Sequence, residues 1–210
     1  MIEKEAMYKL TYGLFVLSAK DGEKQNGCIV NTVSMLTYSH TRITVYVNKM
    51  NYTNEMIKKT GVFNVSVLTE STPFDTFKQF GFVSGREVDK FAGKAYPTAE
   101  NGVYYVTEHV NAMLSAKVVD ALDYGTHTLF VAEVTEAKKL SDEKSATYEY
   151  YQSNIKPKPN NSLAPTKKTE KKGGKWVCKV CGYVHEGEEL PDDFICPWCK
   201  HPASDFERVE

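Results

Sequence analysis

The chain has 210 residues, 41% hydrophobic and 25% charged, with a formal net charge of −1. That gives room for one large and one small globular domain, and it excludes both wholesale disorder and a charge-driven nucleic-acid binder. The charge is uneven: residues 156–175 carry +6, residues 176–210 carry −5, and the 155 residues before them carry −2.

In chain order, the opening Met1 to Glu5 mixes acids with a base, and the apolar stretch Leu14–Leu17 is too short for a signal peptide or a span. A cytoplasmic protein without membrane contact is therefore expected. Apolar, β-branched runs at 10–19 and 27–36 flank Lys20, Asp21, Gly22 and Glu23, a hairpin signal. Residues 43–47 alternate with period two, and 62–68, 103–106, 112–121 and 126–135 continue the strands. Two short helices interrupt them. The first has Thr53 as its N-cap, Glu55 in its first turn and its end at Gly61; the second starts at Thr72 and Pro73 and stops at Gly81. Such a series predicts a mainly β fold with a closed barrel over residues 1–152. Cys28 falls in a strand and reads as a buried, inert thiol.

No Gly-x-Gly-x-x-Gly follows a strand, and no Walker motif, nucleophile elbow or His-Glu-x-x-His is present. Three segments instead carry groups suited to an anionic cofactor. The first is a strand with Asn31, Thr32, Val33 and Ser34. The second runs Asn48, Lys49, Tyr52, Thr53 into a helix, and a helix N-terminus beside a lysine and a hydroxyl is a natural phosphate site. In the third, Arg86 and Lys90 add positive charge, while Ser84 and Gly85 permit close backbone approach. Each has a plainer reading, Thr53 as a cap and Arg86 as a surface ion-pair partner.

Together these segments, with 60–67, Asp89–Phe91 and 125–134, resemble the flavin reductase-like, FMN-binding split-barrel family over residues 8–150. The resemblance implies a homodimer with FMN near the subunit interface. Asn31 to Ser34 would lie along the flavin ring edge, and Asn48, Lys49, Tyr52 and Thr53 would hold the ribityl phosphate, with Ser84, Gly85 and Arg86 nearby. It also puts His127 beside the flavin, to contact a nicotinamide or tune flavin protonation; the alternative is a barrel-strand histidine satisfied by the backbone.

Residues 153–174 hold three prolines, a lysine run and two terminal glycines, and read as a flexible Lys/Pro-rich linker. As a coil, about 20 such residues reach roughly 25 Å, enough for a tethered domain to swing between donor and acceptor. Residues 175–210 then place Cys178 and Cys181, and Cys196 and Cys199, in two Cys-x-x-Cys pairs. Four thiolates in a tetrahedron select zinc or iron, and the ligands alone do not separate them. Trp176, Tyr183, Phe194, Trp198 and Phe206 form an aromatic shell that favours iron by excluding water.

This segment resembles rubredoxin. The fourteen residues between Cys181 and Cys196 match the compact rubredoxin-like domain appended to rubrerythrins. The whole architecture resembles the high-molecular-weight rubredoxins of anaerobes. That resemblance implies electrons passing from NADH or NADPH through FMN to a four-cysteine iron, then to a partner such as a flavodiiron protein that reduces oxygen or nitric oxide. Two readings stay open beside it: a carrier relaying electrons between proteins, and a flavin reductase with a zinc-bound docking module.

Overall fold

The computed structural model describes residues 3–7, 9–157, 174–178, 183–196 and 202–209, in two compact units, Met1–Lys156 and Pro157–Glu210. The first unit runs α1 (Lys4–Met7), β1 (Phe15–Asp21), β2 (Lys24–Val30), β3 (Val33–Thr37), β4 (Arg42–Asn48), α2 (Tyr52–Thr60), β5 (Val62–Leu68), α3 (Phe74–Gly81), β6 (Val110–Asp123) and β7 (His127–Lys139). It ends in α4 (Tyr148–Tyr150), which continues as a π-helical turn through Tyr151–Ile155.

The seven strands form one antiparallel sheet in the order β2-β1-β5-β6-β7-β4-β3. Its two edges are consecutive in sequence, joined only by Asn31 and Thr32. Three Cα steps reach at most about 11 Å, so the sheet must curl until its edges meet at that corner. This is the expected barrel, split where β2 gives way to β3. The expected single strand over 27–36 is thus two strands, and Asn31 and Thr32 sit in the break.

β4 shows why the alternation was legible: Ile43, Val45 and Val47 point inward and are buried. β1 is buried on both faces and so reads as a continuous apolar run. Leu17 and Ala19 face the barrel interior, while Val16 joins a second cluster with Phe77 and Phe80 of α3. α2 lays Met56 and Ile57 into the barrel cluster and stops at Gly61, whose left-handed φ of 70° lets its N–H bond Ile57 O at 2.8 Å.

The strand expected at 103–106 and the two expected helix starts are corrected. Residues 103–106 form no strand beyond an isolated Thr98–Tyr104 bridge. Their four N–H groups donate instead to Asn101 Oδ1, Gln25 Oε1, Pro97 O and Ser66 Oγ, leaving none for a ladder. The N-cap of α2 is Asn51, not Thr53, and α3 starts at Phe74 after a Pro73 cap. At the end of the first compact unit, Tyr151 is buried against Phe77 at 4.4 Å between ring centroids and Ile155 packs on the same cluster. The linker expected over 153–174 lies outside the described residues from 158 to 173.

The second unit is a three-stranded antiparallel sheet, order β10-β8-β9, of β8 (Lys175–Cys178), β9 (Val184–Glu186) and β10 (Phe206–Arg208). No described helix is long and apolar enough to cross a membrane.

Candidate functional site

In the first unit several of the expected cofactor residues, Asn48, Lys49, Tyr52, Ser84 and Arg86 among them, lie around the N-terminus of α2. Asn48 closes β4 opposite His127, the first residue of β7. Its Oδ1 accepts from Met50 N at 2.9 Å, and Asn51 N donates to Asn48 O at 3.0 Å, so the chain turns sharply into the helix. Lys49 N donates to Thr126 O, and Lys49 Nζ pairs with Asp123 at 2.5 Å, tying this turn to the β6–β7 hairpin. His127 Nδ1 lies 2.9 Å from Thr126 Oγ1. The β2–β3 link runs beside the same end of β4, with Thr32 Oγ1 donating to Tyr46 O at 2.9 Å. Val33 packs on the barrel interior opposite Val45, and Ser34 is exposed opposite Thr44.

Asn51 caps α2 in backbone conformation only; its side chain makes no cap hydrogen bond. The Asn51 side chain therefore leaves the first-turn N–H groups uncapped, at the positive end of the helix dipole. Beside it lies the 84–86 loop. Ser84 Oγ accepts from Arg86 N at 3.2 Å, and Arg86 grips Glu55 through both Nη atoms, at 2.9 and 2.5 Å. The Arg86 guanidinium also sits 4.8 Å over the Tyr52 ring, as does Lys24 Nζ. Arg86 holds the Glu55 carboxyl below the usual carboxylate range, and Lys49, with Gly125 N–H, does the same for Asp123.

Gly85 explains how the loop comes so close. A Cβ there would sit 1.9 Å from Asn26 Oδ1, so only glycine fits. Asn26 is buried and donates to Thr53 Oγ1 at 3.0 Å; its Oδ1 has no hydrogen-bond partner among the described residues.

Two expected ligands face elsewhere. Thr53 is fully buried with its hydroxyl on Asn26, and so lies beneath the helix end rather than at its mouth. Lys90 is 5% exposed, its ammonium committed to Gly27 O and Phe80 O at 2.9 Å each. Burial lowers its pKa, offset by nearby Cys28, and it serves as an internal strut rather than as an anion ligand. Cys28 is buried as expected, and burial pushes its thiol up. The residues not foreseen as part of this end are Lys24 and Asp123. Glu55 was visible only as a helix-dipole acid; its place one turn after Tyr52, on the same face, was the available signal.

In the second unit Cys178 and Cys196 are both sealed from solvent, at 1% and 0% exposure. Cys178 N donates to Tyr183 O at 2.8 Å, so the residues flanking 179–182 lie side by side. Phe206 pairs with Cys178 across β10–β8 and packs edge-on against Phe194 at 5.3 Å and Tyr183 at 6.5 Å. Buried thiol sulfurs under an aromatic cover suit a thiolate-bound metal. Cys181 and Cys199, with Trp198, lie outside the described residues.

Comparison with known proteins gives a family for each unit. The flavin reductase-like domain family matches residues 7–158, and the rubrerythrin, rubredoxin-like domain family matches residues 176–207. A high molecular weight rubredoxin of Moorella thermoacetica is 36% identical over 99% of this chain and 100% of its own length. A ferric-chelate reductase (NAD(P)H) of Archaeoglobus fulgidus is 42% identical over 71% of this chain and 89% of its own. The crystal structure of flavoredoxin from Methanosarcina acetivorans superposes with a TM-score of 0.57 at 26% identity, over 65% of this chain and 75% of that one.

Proposed function

The chain belongs to the high-molecular-weight rubredoxin family of electron-transferring oxidoreductases, a flavin reductase-like domain followed by a rubredoxin-like domain, and we propose that it carries electrons from NADH or NADPH through FMN to a single iron and on to a redox protein. The supporting observation is the presence, in one chain, of an α2 N-terminus without a side-chain cap, flanked by Lys49 and Arg86, together with two cysteines sealed from solvent.

The residues fit a flavin phosphate. The first-turn amides of α2, Ser84 and the cations Lys49 and Arg86 converge on one end of the barrel, and Gly85 removes the one Cβ that would push the loop away. Asn31 to Ser34 and His127 flank that end and would line the ring. When bound, FMN accepts a hydride and releases its electrons singly. The chain's own work is to bind the phosphate and orient the ring. Cys178, Cys181, Cys196 and Cys199 would hold iron, a one-electron site, so that the tether joins two-electron uptake to one-electron delivery.

Exposed Met35, Leu36, Tyr46, Leu122 and Tyr124 on β3, β4 and the β6–β7 hairpin supply apolar surface for a homodimer. The acidic 176–210 segment suits a basic docking face on an acceptor of the flavodiiron class, in the cytoplasm. The test is Cys178→Ser under anaerobic conditions with NADH or NADPH. Flavin bleaching should persist while reduction of an added acceptor stops. Delivery that survives the substitution removes iron from the route.

A further inference from the structure

Both cations at the phosphate end are engaged by carboxylates of the chain itself, but not equally. Asp123 is fixed: it holds Lys49 and also accepts from Gly125 N at 2.8 Å within its own hairpin. Glu55 hydrogen-bonds Arg86, with Lys58 one turn further along α2 adding only a longer-range attraction. The Glu55 side chain is 52% exposed, and among the described residues Arg86 is its one ion-pair partner within hydrogen-bond distance. It engages both Nη atoms of Arg86, the planar two-point fit that a phosphate makes with a guanidinium. Arg86 is meanwhile kept in place by the Tyr52 ring at 4.8 Å, so the fork remains aimed at the α2 first turn whichever anion occupies it. An exposed glutamate is ionised at neutral pH in any case, and Arg86 lowers its pKa further, so the fork holds a carboxylate anion.

The geometry points to an exchange: Glu55 occupies the Arg86 fork as an internal stand-in for phosphate, and a phosphorylated flavin binds by displacing it into solvent. Glu55 thus lowers affinity for the phosphate and lets flavin be taken up or released without unfolding the 84–86 loop. This inference rests on the reading of the α2 N-terminus as the flavin phosphate site.

The experiment titrates flavin-free full-length protein with FMN and with riboflavin, which lacks the phosphate, and follows flavin fluorescence. Glu55→Gln should tighten FMN about twofold to fivefold, the range set by an exposed ion pair, and leave riboflavin unchanged. Weaker or unchanged FMN binding, or an equal change for both flavins, overturns the exchange. Arg86→Ala separates the two levels: it should weaken FMN and spare riboflavin. If it leaves FMN unchanged, the phosphate-site reading fails and the exchange with it. If it weakens FMN while Glu55→Gln does not tighten it, only the exchange fails.

Discussion

Replacing Gly85 with alanine tests how the 84–86 loop is held. The new methyl carbon would lie 1.9 Å from Asn26 Oδ1, 2.4 Å from its Cγ and 2.7 Å from its Nδ2. A tolerable contact needs about 3 Å or more, so roughly 1 Å must be found. Asn26 has no room to supply it, being 2% exposed with its amide on the buried Thr53 hydroxyl. The loop must lift, or that hydrogen bond must break, and overpacking of this kind costs about 1–3 kcal/mol. The assay is urea unfolding of the first unit in four proteins: wild type, Gly85→Ala, Asn26→Ala and the double variant. With Asn26 truncated the three nearest clashing atoms are gone, so most of the cost of Gly85→Ala should disappear, a coupling of about 1–3 kcal/mol. Because Arg86 rides on the same loop, FMN should also bind more weakly to the single variant. An equal loss of stability in both backgrounds would refute the proposed contact.

Two further outcomes concern the barrel interior. Asn64 Oδ1 accepts from Asn101 Nδ2 and Ser115 Oγ, and its Nδ2 donates to Val103 O, all at 2.8 Å. Asn64→Ala strands these partners and should cost about 3 kcal/mol, read as a lower urea midpoint, with Asn101→Ala milder. Burial raises the Cys28 thiol above its ordinary value of 9.0, against Thr53 and Lys90, which lower it. The buried, protonated thiol therefore contributes stability that is full below pH 9.0 and lost as pH rises through the raised folded value. Stability should fall less steeply above that pH in Cys28→Ala than in wild type.

How much the sequence disclosed depended on whether the signal was local. Alternation at Ile43, Val45 and Val47 and the left-handed stop at Gly61 each depend on a few neighbours, and both were legible. The two Cys-x-x-Cys pairs were equally plain, although Cys181 and Cys199 lie outside the described residues. What the sequence hid was tertiary partnership. Residues 103–106 have strand composition but spend their N–H groups on Gln25 and Ser66 from distant strands. Lys90 looked like a phosphate cation because nothing nearby in sequence shows that Gly27 and Phe80 carbonyls surround it. Thr53 looked like a cap because it follows a loop, whereas Asn51 starts the turn and Thr53 faces Asn26.

The central claim is that two-electron uptake and a one-electron iron coexist and communicate in this chain. Anaerobic titration with NADH or NADPH, followed by visible absorbance, tests it most directly. One flavin takes two electrons and one iron takes one, so complete bleaching of both bands should consume about 1.5 nicotinamide equivalents per chain. A titration that ends at about 1.0 equivalent, with the flavin colourless and either no iron band present or a ferric band untouched, would contradict the account.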